Sequence, residues 1–226
     1  MKNEIEKIKE FFKILNDDKF EKSIRNFDIS KIDKIIMFHE INDNIINILK
    51  ENQNYLAYAV FTFDDGLYSQ YYYFDKINDL FPNNPKIFFI STDIIYTGFE
   101  SQIINISCYD AHKKYFTENN KQAYMTLSQI KSLNKKNNCY IGGHGHKHLH
   151  AINCTREPLK IFCKNWINDF ITMKEKFTEY KLYNIKIFCT PYNEENIILN
   201  GLLKRVYNGY IIGKQRIAIE DIEDIK

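Results

Sequence analysis

The chain has 226 residues, 44% apolar and 15% aromatic, and its 31 basic and 29 acidic side chains leave a net charge of +2. That length and apolar content suit a globular unit with a substantial core and exclude a disordered linker or tail. The near-balance of charge removes any general electrostatic case for nucleic acid as a partner. The N-terminal stretch MKNEIEKIKEFFKIL is charged throughout, and nowhere does an apolar run reach the length of a membrane span, so neither a secretory signal nor a transmembrane segment is expected. Cys108, Cys139, Cys154, Cys163 and Cys189 are odd in number and show no CxxC spacing. They read as reduced thiols, and the expected location is cytoplasmic.

In chain order, Ile5, Ile8, Phe11, Phe12 and Leu15 recur at helical spacing and predict an amphipathic helix over 4–15, laid on the main domain or, alternatively, on a membrane surface or partner. Asp33 to Phe38 predicts a short buried strand that delivers His39 at its C-terminal end. A polar, Asn-rich connection leads to a second strand over 56–63, which ends in Phe61-Thr62-Phe63-Asp64-Asp65-Gly66. Adjacent carboxylates repel unless a cation or a shared proton holds them, so this strand end suggests a metal. Residues 68–80 read as a helix, Pro82 and Pro85 break the chain, and Lys86 to Ser91 reads as the next strand. The stretch 93–122 has weak periodicity and reads as a loop or small insertion over a site. A helix over 126–136 and a strand over 139–141, running into Gly142-Gly143, follow. Then come a helix over 156–181, a strand over 185–189, a helix over 195–205, and strands over 210–212 and 216–219. Such alternation implies a largely parallel sheet, open or closed into a barrel, whose strand C-termini share one rim. His39 and the two acids belong on that rim.

Four of the six histidines fall in one stretch, His144, His146, His148 and His150. His144 and His148 are four apart, so on one helical turn they project from one face and can grip a cation. With one carboxylate they make a two-His, one-acid set that leaves positions open for water and substrate. A histidine-rich tract can also be a solvated loop that binds metal adventitiously. The acid pair on a separate strand end favours a built site. Amidohydrolases carry HxH on their first strand, and metallo-β-lactamase-like enzymes want an Asp where His148 stands, so neither order fits.

Together these motifs resemble the polysaccharide deacetylase family, also called the NodB-homology family or carbohydrate esterase family 4. Its TFDDG motif stands as Thr62 to Gly66, and its H(S/T)xxH motif as His144-Gly145-His146-Lys147-His148, with glycine in place of the hydroxyl residue. Its third motif resembles Phe188-Cys189-Thr190-Pro191-Tyr192-Asn193, while 34–40 and 86–91 resemble its flanking strands. The resemblance covers about residues 33–219. It implies an α/β fold, a distorted, incomplete (β/α) barrel of about seven strands, with a catalytic domain over 31–226 and residues 1–30 as a helical extension.

The resemblance further implies a metal-dependent hydrolase that removes the N-acetyl group from an N-acetylated sugar. Asp65, His144 and His148 would be the metal ligands, and Asp64 the general base toward metal-bound water. The backbone of Tyr192, beside Pro191, would stabilise the oxyanion. The metal implied is Zn²⁺, with Co²⁺, Ni²⁺ or Mn²⁺ as alternatives. The chain departs from the family in two places. Cys189 stands where many members carry an arginine that orients the base, and Arg216 is the candidate substitute. No histidine follows His150 to serve as the usual late acid. Relatives that deacetylate poly-N-acetylglucosamine take this acid from an early strand, which makes His39 the candidate. The expected substrate is a glycan or a lipid- or nucleotide-linked intermediate of surface polysaccharide synthesis. Two alternatives stay open: an impaired metal-binding domain that binds a glycan or partner, and a deacylase of a small non-sugar amide.

Overall fold

The computed structural model describes residues 3–15, 27–152, 158–183, 185–207, 209–213 and 215–222. Cys154, the first residues of the helix expected over 156–181, and the chain between 15 and 27 lie outside them. Seven strands, β1 (Lys34–Phe38), β2 (Ala59–Phe63), β3 (Lys86–Ile90), β4 (Cys139–Gly143), β5 (Ile187–Cys189), β6 (Tyr210–Ile212) and β7 (Ile217–Ala218), form one sheet in the order β6-β5-β4-β3-β2-β1-β7. Every pairing is parallel. The sheet curls into a half-barrel, so the fold is the distorted, incomplete (β/α) barrel expected.

Around it run α1 (Glu4–Ile14), α2 (Asp43–Glu51), α3 (Tyr68–Tyr72), α4 (Phe74–Leu80), α5 (Cys108–Glu118), α6 (Leu127–Asn134), α7 (Leu159–Glu179) and α8 (Ile197–Val206). Three sequence expectations change. The Asn-rich connection after β1 contains α2, whose buried Ile45, Ile46 and Leu49 share one side, and Asn42 caps it by accepting from the Ile45 N–H at 3.0 Å. The helix expected over 68–80 is broken at Tyr73 into α3 and α4. The stretch 93–122 holds α5, started by Ser107, whose hydroxyl accepts from the Asp110 N–H at 3.1 Å.

β2, β3 and β4 are buried along their whole length, as strands covered on both faces must be. Alternation sorts their side chains. Ile36, Phe38, Phe61, Phe63, Phe88, Ile141 and Phe188 belong to one cluster with the surrounding helices. Ile35, Val60, Ile87, Phe89, Tyr140, Ile187, Cys189 and Ile212 line the other face. That second cluster is completed by Ile8, Phe11 and Phe12 of α1. The N-terminal helix therefore fills the concave side of the sheet, and its Lys7 Nζ donates to the Ile211 carbonyl of β6 at 3.0 Å. Its apolar stripe is spent on the core, which leaves none for a membrane surface. Phe12 is fully buried, with its ring edge-on to Tyr140 at 5.4 Å. Phe12→Ala should lower stability by about 3–5 kcal/mol in urea denaturation. A loss below about 1 kcal/mol would mean the helix is peripheral to the core.

Candidate active site

The parallel strands end on a common rim and deliver His39 and Glu40 from β1, Asp64 and Asp65 from β2, and His144 from β4. The acid pair divides there. Val60, Thr62 and Asp64 follow the alternation onto the concave face, where Arg216 enters just before β7. The Arg216 guanidinium clamps Asp64 at both oxygens, Nη1 to Oδ1 at 2.7 Å and Nη2 to Oδ2 at 2.6 Å. It also donates to the Thr62 hydroxyl at 3.2 Å, to Asn193 Oδ1 at 2.9 Å and to the Gly213 carbonyl at 3.2 Å. Asp64 and Arg216 are both buried. Burial pushes the Asp64 carboxyl up, but Arg216 outweighs it and holds the group below the usual carboxylate value. A bidentate clamp fixes the carboxylate plane and leaves its remaining lone pairs free to accept.

Asp65 is turned out of that alternation by a left-handed backbone, φ 73°, followed by Gly66 at φ 79°. Its Oδ1 lies 2.8 Å from His148 Nε2, 3.3 Å from His144 Nε2 and 3.7 Å from His112 Nε2. One ligand atom each from Asp65, His144 and His148 falls within 4.8 Å of the others, and all three residues are buried. His144 Nδ1 is paired with the Cys189 carbonyl at 2.8 Å, which aims Nε2 at Asp65. Both ring nitrogens of His148 are buried without a hydrogen bond, despite the short approach of Nε2 to Asp65. Polar atoms so orphaned are costly, and a cation shared with the carboxylate would satisfy Nε2. Burial pushes Asp65 up, but His148 and His144 outweigh it and keep the carboxyl well below its ordinary value. A buried acid, two imidazoles and an unsatisfied nitrogen make a donor set that fits a divalent metal.

His144 and His148 do not lie on a helical turn as the spacing suggested. They sit in a loop shaped by positive φ at Gly145 (81°) and His148 (55°). The loop bends around Asp169 of α7, whose two carboxylate oxygens accept the N–H groups of His146 and Lys147, each at 2.7 Å. A Cβ at position 145 would meet Asp169 Oδ2 at 2.9 Å, and the positive φ there favours glycine as well. Asp169 was not singled out from the sequence; an acid inside an amphipathic helix carries no signal of its own. Asp169→Ala should orphan both N–H groups, and Zn²⁺ affinity measured by calorimetry should fall about 10–100-fold. Unchanged affinity would remove Asp169 from the support of the loop. His146 and His150 face elsewhere: His146 Nδ1 meets the Thr92 hydroxyl at 2.9 Å, and His150 Nδ1 meets Glu194 Oε1 at 2.8 Å.

Pro191, Tyr192 and Asn193 form a 3-10 turn after β5 in which Tyr192 (φ 57°) and Asn193 (φ 56°) are both left-handed. Asparagine tolerates that region better than most residues, and here it also holds Arg216. The Tyr192 ring stacks on His150 at 3.6 Å and lies 4.5 Å from the His148 ring. His39 places a ring nitrogen within 4.8 Å of an Asp65 carboxylate oxygen. Of the tyrosines after β2, Tyr73 is buried in the core and Tyr72 is exposed.

Two further residues at the site come from α5. The Cys108 thiol donates to Asp65 Oδ2 at 3.1 Å, and the His112 ring lies 4.5 Å from that of His148. They are one helical turn apart in Cys108-Tyr109-Asp110-Ala111-His112, and that spacing after a serine cap was the available signal. Burial holds His112 down to about 4, so its imidazole is neutral near pH 7.

No family model matches the sequence, and no curated protein does. Solved structures share the fold at low sequence identity. IcaB from Ammonifex degensii aligns with a TM-score of 0.59 at 13% identity, over 85% of this chain and 94% of its own. A de-N-acetylase from Aggregatibacter actinomycetemcomitans aligns with a TM-score of 0.57 at 15% identity, over 82% and 92%. A polysaccharide deacetylase from Bacillus cereus aligns with a TM-score of 0.57 at 11% identity, over 84% and 67%. Half-barrel, strand order and neighbours together give this chain the NodB-like polysaccharide deacetylase fold.

Proposed function

We propose that the protein is a metal-dependent hydrolase that removes the N-acetyl group from an N-acetylated sugar. The observation that carries this reading is the division of the acid pair: Arg216 holds Asp64 as a fixed carboxylate, while Asp65 faces two imidazoles. The shared fold with a de-N-acetylase supports the same reaction class. Asp65, His144 and His148 would hold the cation, Zn²⁺ by the chemistry of the donor set. Once bound, it would polarise the acetyl carbonyl and acidify water.

The chain's own residues supply the rest. Asp64 accepts the proton of the water that attacks the carbonyl carbon, since Arg216 orients it and keeps it ionised. The Tyr192 backbone N–H stabilises the developing oxyanion. His39 donates a proton to the sugar nitrogen as the carbon–nitrogen bond breaks, leaving acetate and a free amine. The two bonds from Arg216 to Asp64 support Arg216 as the substitute for the arginine expected in the third motif, which weakens the reading of an impaired domain.

Chelator-stripped protein reloaded with Zn²⁺ should release acetate from N-acetylglucosamine oligomers, and chelation should stop it. Asp64→Asn should keep its metal while turnover falls at least about 10²–10⁴-fold. His39→Gln should lower kcat within a similar range, about 10²–10⁴-fold. Full metal occupancy with no acetate released from a broad panel of N-acetylated sugars would sink the proposal.

A further inference from the structure

Asp65 belongs to two candidate donor sets. Oδ1 meets the imidazoles of His148 and His144 at 2.8 and 3.3 Å, while Oδ2 accepts from the Cys108 thiol at 3.1 Å. His39, Asp65 and Cys108 each bring a ligand atom within 4.8 Å of the other two, separately from the Asp65–His144–His148 group. A carboxylate shared by two donor sets can bridge two ions about 3.5–4 Å apart. Cys108 is not loosely held. It opens α5, its backbone N–H donates to Glu40 Oε2 at 3.1 Å, and its Sγ lies 3.5 Å from His112 Nδ1. Glu40 directly follows His39, so the end of β1 both carries His39 and anchors Cys108.

We propose that His39, Asp65 and Cys108 form a second cation site, bridged through Asp65 to the first and filled after it. Thiolate, imidazole and carboxylate together select Zn²⁺ or Co²⁺ over Mg²⁺ or Mn²⁺. On binding, the thiol proton leaves to solvent and a metal–sulfur bond replaces the hydrogen bond to Asp65. The ion also takes up the His39 imidazole, so excess Zn²⁺ inhibits. That consequence rests on the role given to His39 above; the second site itself does not.

Co²⁺ titration of the chelator-stripped full chain, followed by equilibrium dialysis and near-ultraviolet absorption, tests this directly. Wild type should take up two equivalents, with a thiolate-to-cobalt charge-transfer band growing only with the second. Cys108→Ser should stop at one equivalent without the band, and its uptake of the first reports that it is folded. The same variant should lose inhibition by excess Zn²⁺, read as the ratio of its own acetate release at excess Zn²⁺ to that at one equivalent. Saturation of wild type at one equivalent, or a second equivalent retained in Cys108→Ser, overturns the inference. So does a band that grows with the first equivalent, which would place Cys108 on the first ion. Uptake of one equivalent with acetate release overturns this inference alone, whereas no uptake at all overturns the proposed function as well.

Discussion

Arg216→Met should cost the protein about 3–5 kcal/mol of stability at neutral pH, because it strands the buried Asp64 carboxylate without its counter-charge. The two buried residues make two short charge-assisted bonds, so solvent compensates poorly when the arginine is lost. Removing both charges should be milder than removing one, and Asp64→Asn/Arg216→Met should recover part of the loss in a double-mutant cycle. The pH dependence follows from the lowered Asp64 value. A carboxyl held below its unfolded value near 3.8 adds stability above that pH and loses it as the pH falls through the folded value. Arg216→Met should abolish that acid-side loss in urea denaturation. Turnover should fall by about 10²-fold, the cost of a base displaced by an ångström. Equal stability of wild type and Arg216→Met would contradict the clamp.

His148→Ala should weaken Zn²⁺ binding by more than about 100-fold, beyond what loss of an outer supporting residue costs. Zn²⁺ at about 100 times its Kd should stabilise wild type by about 2.7 kcal/mol, read as a shift in Tm, and this shift should vanish in His148→Ala and in Asp65→Asn. The burial of both His148 ring nitrogens, with Nε2 set 2.8 Å from Asp65 Oδ1, is the reason for expecting so much from one imidazole. A Tm shift retained in both variants would move the metal away from this trio.

The strands and their chemical ends were legible because they combine apolar runs with charged terminators. Ala59–Phe63 into Asp64-Asp65 and Cys139–Gly143 into His144 each put polar groups where a parallel sheet presents them. Asp64, Asp65 and His144 stand at those ends, His39 at the end of β1 and His148 in the loop after β4, and the fold brings them together. The loop geometry of the histidines was misread because spacing of four fits a helix, whereas Gly145 and the carboxylate of Asp169 impose a turn. Cys108 and His112 went unseen because α5 buries only Ala111 and Tyr115, too sparse an apolar pattern to mark a helix, although Ser107 caps it and Glu40 accepts the Cys108 N–H. The place of α1 was hidden for another reason. Periodicity shows that a helix has an apolar face, but not that the face fills the concave side of the sheet.

The proposed function gives the two adjacent acids different work: Asp65 for the cation, Asp64 for the proton. Anomalous diffraction at the zinc edge from crystals loaded with one equivalent of Zn²⁺ measures this directly. A single peak about 2.0–2.2 Å from Asp65 Oδ1, His144 Nε2 and His148 Nε2, with Asp64 still clamped by Arg216, is the predicted result. A peak ligated by Asp64, or no peak between these three side chains, would contradict it.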